Sequence, residues 1–479
     1  MSNPEMTRST HAAPRRVLST MDGVVMVVGL VVGAGIFRTP PLVAANVGSG
    51  AEFLGVWLAG GVVALTGALS YAELASTYPH AGGEYHVLQR AFGGFTAFLI
   101  GWSRLAVLQT GSIALLSFVF ADYAVRLLPG GGESLPAIAG PAIAAAVVLT
   151  LTVVNALGLR HGTLAQYGFT AAALVGIALV VVAAVVGTMQ GGGEGVVTAS
   201  PATPTPASSP NPALAFVFVL LTYGGWSEAA YLSAELRDEQ RGVSRTLIWG
   251  VAAVTATYLL ANLAYLVALG LDGIVASTAV AVDVMERVMG GWGGVIVALT
   301  VMTAALSSAN GTMITGARTG YAVGSEISPL RPLGIWAPER DAEGEKAGGT
   351  PRRALVAQGL VSLLLVALGA ATRAGFETMV AYTAPVFWLT LLLMGVALFV
   401  LRRRDRGLVR PFRVPLYPVL PLFFCVTSAA MLWSSVAYAG RGALLGVAVM
   451  LCGVPLFLLE RARARRAAAL TTPLLDPSA

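Results

Sequence analysis

Residues 31–37 (VVGAGIF) place two glycines in the middle of a long apolar segment, where a break in the helix would free backbone groups for ligand binding. In hydrocarbon an unpaired amide or carbonyl is costly, so a broken membrane helix survives only where the freed groups line a cavity. We predict an unwound hinge at residues 33–35, with the helix resuming near Ile36. The first amides of the resumed helix suit a carboxylate, because they lie at the positive end of a helix dipole. The alternative is that the glycines serve close helix packing.

A second interruption lies in the sixth apolar segment, at residues 222–226 (TYGGW). Four uninterrupted apolar segments separate the two breaks. This placement is typical of two five-helix repeats of inverted topology, with the binding site between their broken helices. Broken helices offer amides on one side of such a site and carbonyls on the other.

The composition is that of a membrane protein. Of the 479 residues 56% are hydrophobic and only 11% are charged, whereas soluble domains carry about 25% charged residues. Twelve apolar segments reach the length of about 20 residues that a membrane-spanning helix needs. The sequence therefore predicts an all-α polytopic membrane protein with twelve transmembrane helices, of which the first and sixth are broken.

The placement of Lys and Arg predicts the orientation. These residues concentrate at the N-terminus, in alternate loops and after the last span, so both termini are expected in the cytoplasm and the chain in the cell (inner) membrane. The net charge of +6 is explained in this way, and a nucleic-acid partner is not expected. The predicted organisation is an N-terminal cytoplasmic segment 1–20, a first five-helix repeat 21–190, an extracellular Pro/Gly/Ser-rich loop 191–212, a second repeat 213–401, the last two helices 402–459 and a cytoplasmic tail 460–479.

Several motifs resemble those of one family. Residues 33–37 (GAGIF) are similar to the first-helix signature of the amino acid–polyamine–organocation superfamily, and residues 71–74 with 79–85 (YAEL, PHAGGEY) resemble its second helix and first cytoplasmic loop. Residues 223–226 (YGGW) and 262–265 (NLAY) are similar to the L-type amino acid transporter branch. The resemblance implies a leucine-transporter-type fold, with a 5+5 inverted repeat and alternating access to a midplane site.

The resemblance also implies a set of site residues. The amides of Ala34, Gly35 and Ile36 would hold the substrate carboxylate, and the carbonyls of Val31, Leu221 and Gly224 the α-ammonium. The side-chain pocket would be shaped by Gly111, Ser112, Trp226, Ser227 and Tyr382, for which ordinary helix packing is the alternative. Leu221 stands where the family has a gating phenylalanine.

Two departures from the family concern the coupling ion and the partner. Where many relatives carry a lysine whose ammonium replaces sodium, this chain has Ala173. A sodium ion could then be held by the carbonyls of Gly29, Val32 and Ala173 and the hydroxyls of Ser307 and Ser308. Loop 129–136 lacks the cysteine that links eukaryotic relatives to a heavy chain, so no disulfide-linked partner is expected.

Four charged residues lie at or within apolar spans: Glu73, Arg104, Glu228 and Glu235. Such charges are costly and usually face the bundle interior, so we expect Arg104 and Glu228 to pair, the alternative being that they snorkel to an interface. Glu73 and Glu235 are expected to be structural or gating residues. A proton carried by Glu228 or Glu73 is a second coupling candidate beside sodium, and uncoupled exchange is a third.

The sequence predicts a permease of L-amino acids, expected to be neutral ones, working as a symporter or antiporter. The four histidines form no ligand spacing and no Ser-His-Asp arrangement is evident, so neither an enzyme nor a metal or organic cofactor is expected. Transport of polyamines or other organic cations, and a non-transporting amino acid sensor of the same fold, stay open as alternatives. So do the oligomeric state and the particular substrate.

Overall fold

The computed structural model describes residues 16–128, 136–189, 211–238, 241–340, 346–372, 375–438 and 440–471. The predicted loop 191–212 lies almost entirely outside the described residues, as do most of segment 1–20 and the end of tail 460–479. The described chain is a bundle of helices with one two-stranded antiparallel sheet.

The described part of the first half contains nine α-helices and one π-helical turn, Arg104–Leu108. The α-helices are α1 (Thr20–Val31), α2 (Gly35–Arg38), α3 (Pro40–Ala44), α4 (Gly50–Thr77), α5 (Glu84–Phe92), α6 (Gly94–Ser103), α7 (Gln109–Arg126), α8 (Ala139–Ala156) and α9 (Leu159–Met189).

The second half begins with α10 (Pro212–Thr222) and the 3-10 helix Trp226–Leu232. The remaining elements are α11 (Gly242–Ala276), α12 (Val280–Met289), α13 (Gly291–Glu326), the 3-10 helix Ser328–Leu333, β1 (Ala337–Arg340), β2 (Lys346–Thr350), α14 (Arg352–Thr372), α15 (Gly375–Arg404), α16 (Val419–Tyr438), α17 (Gly440–Leu451) and α18 (Gly453–Thr471).

Twelve spans in the described residues are long and apolar enough to cross a membrane, which confirms the prediction of a multi-pass membrane protein. The first comprises α1 and α2, and the sixth comprises α10 with the 3-10 helix Trp226–Leu232. The helix of the first span stops at Val31 and resumes at Gly35, and that of the sixth stops at Thr222. Both predicted breaks are therefore present, whereas the inverted symmetry of the two halves stays a prediction.

Four local features were not predicted. The third span contains the π-helical turn, and short amphipathic helices α5 and α12 lie in the connections after the second and seventh spans. Strands β1 and β2 add a small hairpin to the otherwise helical chain. The last span is interrupted at Cys452, and α18 continues to Thr471, beyond the predicted end at residue 459.

Candidate functional site

The break in the first span leaves three consecutive amides without a protein acceptor. The Val32 amide still donates to the Val28 carbonyl at 2.8 Å, and the Gly33 amide donates to the Val31 carbonyl at 2.8 Å. Among the described residues none accepts a hydrogen bond from the amides of residues 34–36, the three predicted to hold a carboxylate. A buried amide without a partner is unfavourable, so this turn is suited to an anionic ligand group.

The break in the sixth span depends on a glycine in a left-handed conformation. Gly225 has φ +109°, and a Cβ at this position would lie 3.2 Å from the carbonyl oxygen of Leu30. The two breaks therefore face each other across a distance that only a glycine permits. Next to it Gly224 is half-buried, and its amide donates to the Leu221 carbonyl at 3.2 Å.

The hydroxyl of Tyr258 in α11 lies between the two broken helices. Its oxygen is 2.7 Å from the Val31 carbonyl oxygen and 3.1 Å from that of Thr222. The predicted ammonium ligand Val31 thus already accepts from Tyr258 and from the Gly33 amide. Sequence reasoning missed Tyr258, although a tyrosine in the middle of an apolar span is a signal for a buried hydrogen bond.

Gly35 packs directly against the side chain of Thr222. A Cβ on Gly35 would be 2.8 Å from the Thr222 methyl group, and the Thr222 hydroxyl is held by a hydrogen bond to Thr39 at 3.0 Å. A side chain at Gly35 would force Thr222 of the sixth span to shift, so the absence of a side chain here lets the two breaks lie close together.

The predicted pocket-shaping residues fall into two places. Gly111 packs against Tyr382, whose hydroxyl donates to the Ala106 carbonyl at 2.9 Å. Trp226 is buried against Tyr71, with ring centroids 5.1 Å apart. Ser227, next to Trp226 in the chain, is buried, and Ser112, next to Gly111, is half-buried. A small pocket lies beside the second break, and its lining includes Tyr223, Gly224, Trp226, Phe387 and Trp388.

The residues predicted to bind sodium meet a polar network instead of an open cavity. Ser308 donates to the Gly29 carbonyl at 3.0 Å. The Ser307 hydroxyl lies 2.9 Å from the side-chain amide nitrogen of Gln166 and 2.8 Å from the hydroxyl of Thr170. The remaining predicted ligands, Val32 and Ala173, are buried nearby in the same core.

Gln166 continues this network across the bundle. Its side-chain oxygen accepts from Asn310 at 2.9 Å, and Asn310 accepts from Asn155 at 2.7 Å. The amide nitrogen of Gln166 packs onto Gly29, where a Cβ would lie 2.2 Å from it. Hydrogen-bond donors of a neutral amide thus occupy the side of Ser307 at which a cation was expected.

Arg104 pairs with Glu228, as predicted, and with a second carboxylate that sequence reasoning missed. The guanidinium reaches Glu228 through Nη2, and its Nη1 lies 2.7 Å from Glu84 Oε2. Glu84 begins α5, and its place in the PHAGGEY motif was the available signal. All three side chains are buried, so snorkelling is excluded in this structure.

Glu235 and Glu73 are each bound to arginine. Arg318 holds Glu235 through two nitrogens, one of them at 2.8 Å. Glu73 is bound by Arg402, with one contact at 2.7 Å, lies 3.7 Å from Arg410 and accepts from the Val414 amide at 2.7 Å. These contacts join distant parts of the chain and agree with the structural role expected for both residues.

Twelve apolar spans in the described residues, with the first and sixth interrupted, define a multi-pass membrane protein of the transporter class. Residues 18–452 match the family model described as amino acid permease, and the chain belongs to that family.

Curated relatives agree with this assignment. The chain is 31% identical over 432 residues to the b(0,+)-type amino acid transporter 1 of Mus musculus, an alignment that covers 88% of this chain and 84% of the relative. It is 31% identical over 416 residues to the same transporter of Homo sapiens, with 86% and 81% covered. It is 30% identical over 470 residues to the large neutral amino acids transporter small subunit 2 of Rattus norvegicus, with 96% and 84% covered.

Proposed function

We propose that the protein carries neutral L-amino acids across the cell (inner) membrane by alternating access to a site between its two broken helices. The observation that carries this proposal is the turn of free amides at residues 34–36, which faces the second break in a buried place. Relatives over most of the chain are named as amino acid transporters, one of them for large neutral amino acids.

In this proposal the substrate carboxylate accepts hydrogen bonds from the amides of Ala34, Gly35 and Ile36. The α-ammonium donates to the carbonyls of Leu221 and Gly224, and it reaches the Val31 carbonyl when the hydroxyl of Tyr258 donates to Thr222 instead. Both ends of the zwitterion are then recognised by backbone groups, and this leaves the choice of substrate to the side-chain pocket.

For coupling we propose amino acid exchange without sodium. The hydroxyl of Ser307 already has Gln166 and Thr170 as partners, and Ser308 already donates to Gly29. A sodium ion at this place would have to displace the Gln166 side-chain amide. The N–H hydrogens of that amide are donors and cannot coordinate a cation.

We also propose that both termini are cytoplasmic and that the protein works without a disulfide-linked heavy chain. The only cysteines of the sequence, Cys425 and Cys452, lie in the last two apolar spans, where no external loop presents them to a partner.

A thermal-shift panel on the purified protein tests the substrate assignment. We expect L-leucine to raise the melting temperature, and isoamylamine, which lacks only the carboxylate, to have no effect at the same concentration. Spermidine tests the polyamine alternative on the same plate. Equal stabilisation by leucine and isoamylamine would remove the carboxylate from the recognition scheme, and stabilisation by spermidine alone would favour the organic-cation alternative.

A further inference from the structure

Three buried carboxylate clusters lie where the second and sixth spans meet the loops predicted to be cytoplasmic, and they differ in charge balance. Glu235 has one arginine, Arg318. Glu73 has two, Arg402 and Arg410. In the third cluster the ratio is reversed, because Glu84 and Glu228 share the single guanidinium of Arg104.

The third cluster is sealed from solvent. Glu84 is 0% exposed, Arg104 is 1% exposed and Glu228 is 7% exposed. With both acids ionised the cluster would carry a net negative charge, and an uncompensated charge in a medium of low dielectric constant is strongly unfavourable. Two carboxylates that share one site do not readily ionise together.

Glu84 is placed to exist as the neutral acid. The Tyr71 hydroxyl lies 2.8 Å from its Oε1, and a hydroxyl oxygen can accept a hydrogen bond from a protonated carboxyl as well as donate to a carboxylate. The Tyr231 hydroxyl lies 3.3 Å from its Oε2. Burial raises the pKa of Glu84, against the opposing effect of Arg104, and the charge of Glu228 raises it further.

The polar shell of the cluster is incomplete on the Glu228 side. Gln109 donates to Glu228 at 3.4 Å and to Thr319 at 3.1 Å, while its own Oε1 and the Nε of Arg104 have no partner among the described residues. Among the described residues, Arg104 is the cation that pairs with Glu84 and Glu228. Other charged groups on the packed elements have partners of their own: Arg90 with Asp405, Arg318 with Glu235, Arg402 and Arg410 with Glu73, Glu326 with Tyr85 and Gln89, Arg404 with the Arg90 carbonyl, Asp22 with Ser19 and Tyr167, and Arg245 with Asp238.

We propose that Glu84 and Glu228 around Arg104 form a proton-binding site that holds one proton, seated on Glu84, while the inner half of the sixth span is docked on α5. The site joins three elements: α5 through Glu84, the third span through Arg104 and the 3-10 helix through Glu228. Undocking exposes the cluster to water, and the carboxylic acid then gives its proton to water and becomes a carboxylate. The proton returns from the same side on docking, so no net proton transport results.

A consequence for stability follows from the raised pKa of Glu84. Between the ordinary carboxyl value and the raised one, the folded protein binds more protons than the unfolded chain. Stability from this group therefore falls as pH rises through that interval. We also expect exchange of amino acids to be faster at higher pH. This expectation rests on the proposed function.

Infrared difference spectroscopy of the full-length protein in lipid nanodiscs tests the site, because a protonated carboxyl has its own carbonyl band. We expect a titrating carboxyl band in the wild type that is absent in Glu84→Gln. The matched control is Glu235→Gln, which removes a buried carboxylate of the balanced cluster and should keep the band. A second variant, Glu228→Gln, removes the competing charge and should lower the midpoint of the band by about one pH unit or more.

A wild type without a titrating carboxyl band would overturn the proposal, as would a band that persists unchanged in Glu84→Gln. If Glu84→Gln fails to fold, Glu228→Gln still tests the proposal, because an unaltered midpoint of the carboxyl band in this variant would overturn it. Leucine binding by thermal shift on the same samples reports separately on the proposed function, so that failure of either proposal is recognised on its own.

Discussion

At the scale of single residues, the close approach of the two broken helices depends on two glycines, which have no side chain. Gly35 and Gly225 each lie where a Cβ would meet the opposite broken helix, at Thr222 and at the Leu30 carbonyl respectively. Their lack of a side chain lets backbone amides and carbonyls of two spans approach the same small volume. The proposed recognition of substrate by the backbone rests on these two close approaches.

Replacing Gly35 with leucine should abolish amino acid binding. The new side chain collides with Thr222 and separates the breaks, so we expect at least about a tenfold loss of affinity, or about 1.4 kcal/mol. The matched control is Gly55→Leu in α4, where a Cβ would meet nothing within 4 Å. Binding of leucine by scintillation proximity checks both variants, and normal affinity in Gly35→Leu would place the site elsewhere.

Sequence reasoning predicted the two helix breaks, which the structure confirms, but not the side chains around them. The breaks at residues 33–35 and 223–225 could be predicted because glycines in an apolar span are a local sequence pattern. Tyr258 and Gln166 were missed because their roles come from partners far along the chain, which periodicity does not reveal. Glu84 was missed for the same reason, since its partner Arg104 lies on another element.

At the scale of elements, α1, α9 and α13 are joined by polar side chains in the membrane interior. Gln166 and Thr170 of α9 hold Ser307 of α13, whose neighbour Ser308 donates to Gly29 of α1. Hydrogen bonds in such a place define the relative positions of helices that apolar packing alone would leave adjustable.

Uptake should be indifferent to sodium, because the Gln166 amide donates to Ser307 and Ser308 donates to the Gly29 carbonyl, so both predicted ligand hydroxyls already have partners. Replacing external sodium by choline should leave the rate of leucine uptake unchanged. Gln166→Ala leaves Ser307 and Asn310 with unmet partners and should lower stability by about 1–3 kcal/mol. Thr188→Ala on the same helix is the control, since Thr188 is half-buried and its hydroxyl donates to the Val185 carbonyl of the same helix in a hydrogen bond exposed to solvent. A sodium-dependent rate in the wild type would refute the exchange proposal.

The connection between the second and third spans should be sensitive to acid. His80 and His86 stack with ring centroids 4.4 Å apart, and burial, followed by the charges of His80 and Arg90, lowers the pKa of His86 to about 4. The unfolded chain then binds more protons than the folded protein between about pH 4 and the ordinary histidine value, so stability falls as pH falls through this interval.

We expect His86→Gln to reduce the loss of melting temperature between about pH 7 and pH 5. The control is His161→Gln, which changes an exposed histidine at the start of α9. If His86→Gln keeps the full acid sensitivity of the wild type, the stacked pair is not its source.

At the scale of the whole molecule, the number of spans and the position of the breaks were predictable, because both follow from hydrophobic length and from glycine placement. The hairpin β1–β2, helices α5 and α12 and the extension of α18 were not, since short elements outside the membrane carry too few residues for a clear period. The twelve spans of the described residues and the family assignment together define a permease.

Counterflow in proteoliposomes tests the central claim most directly. Vesicles loaded with unlabelled L-leucine should take up labelled leucine above its equilibrium level without any ion gradient, and Gly55→Leu should do the same. Gly35→Leu should show none. Labelled leucine that binds the wild type but never enters the vesicles would contradict transport and favour a sensor, and normal counterflow by Gly35→Leu would contradict a site between the two broken helices.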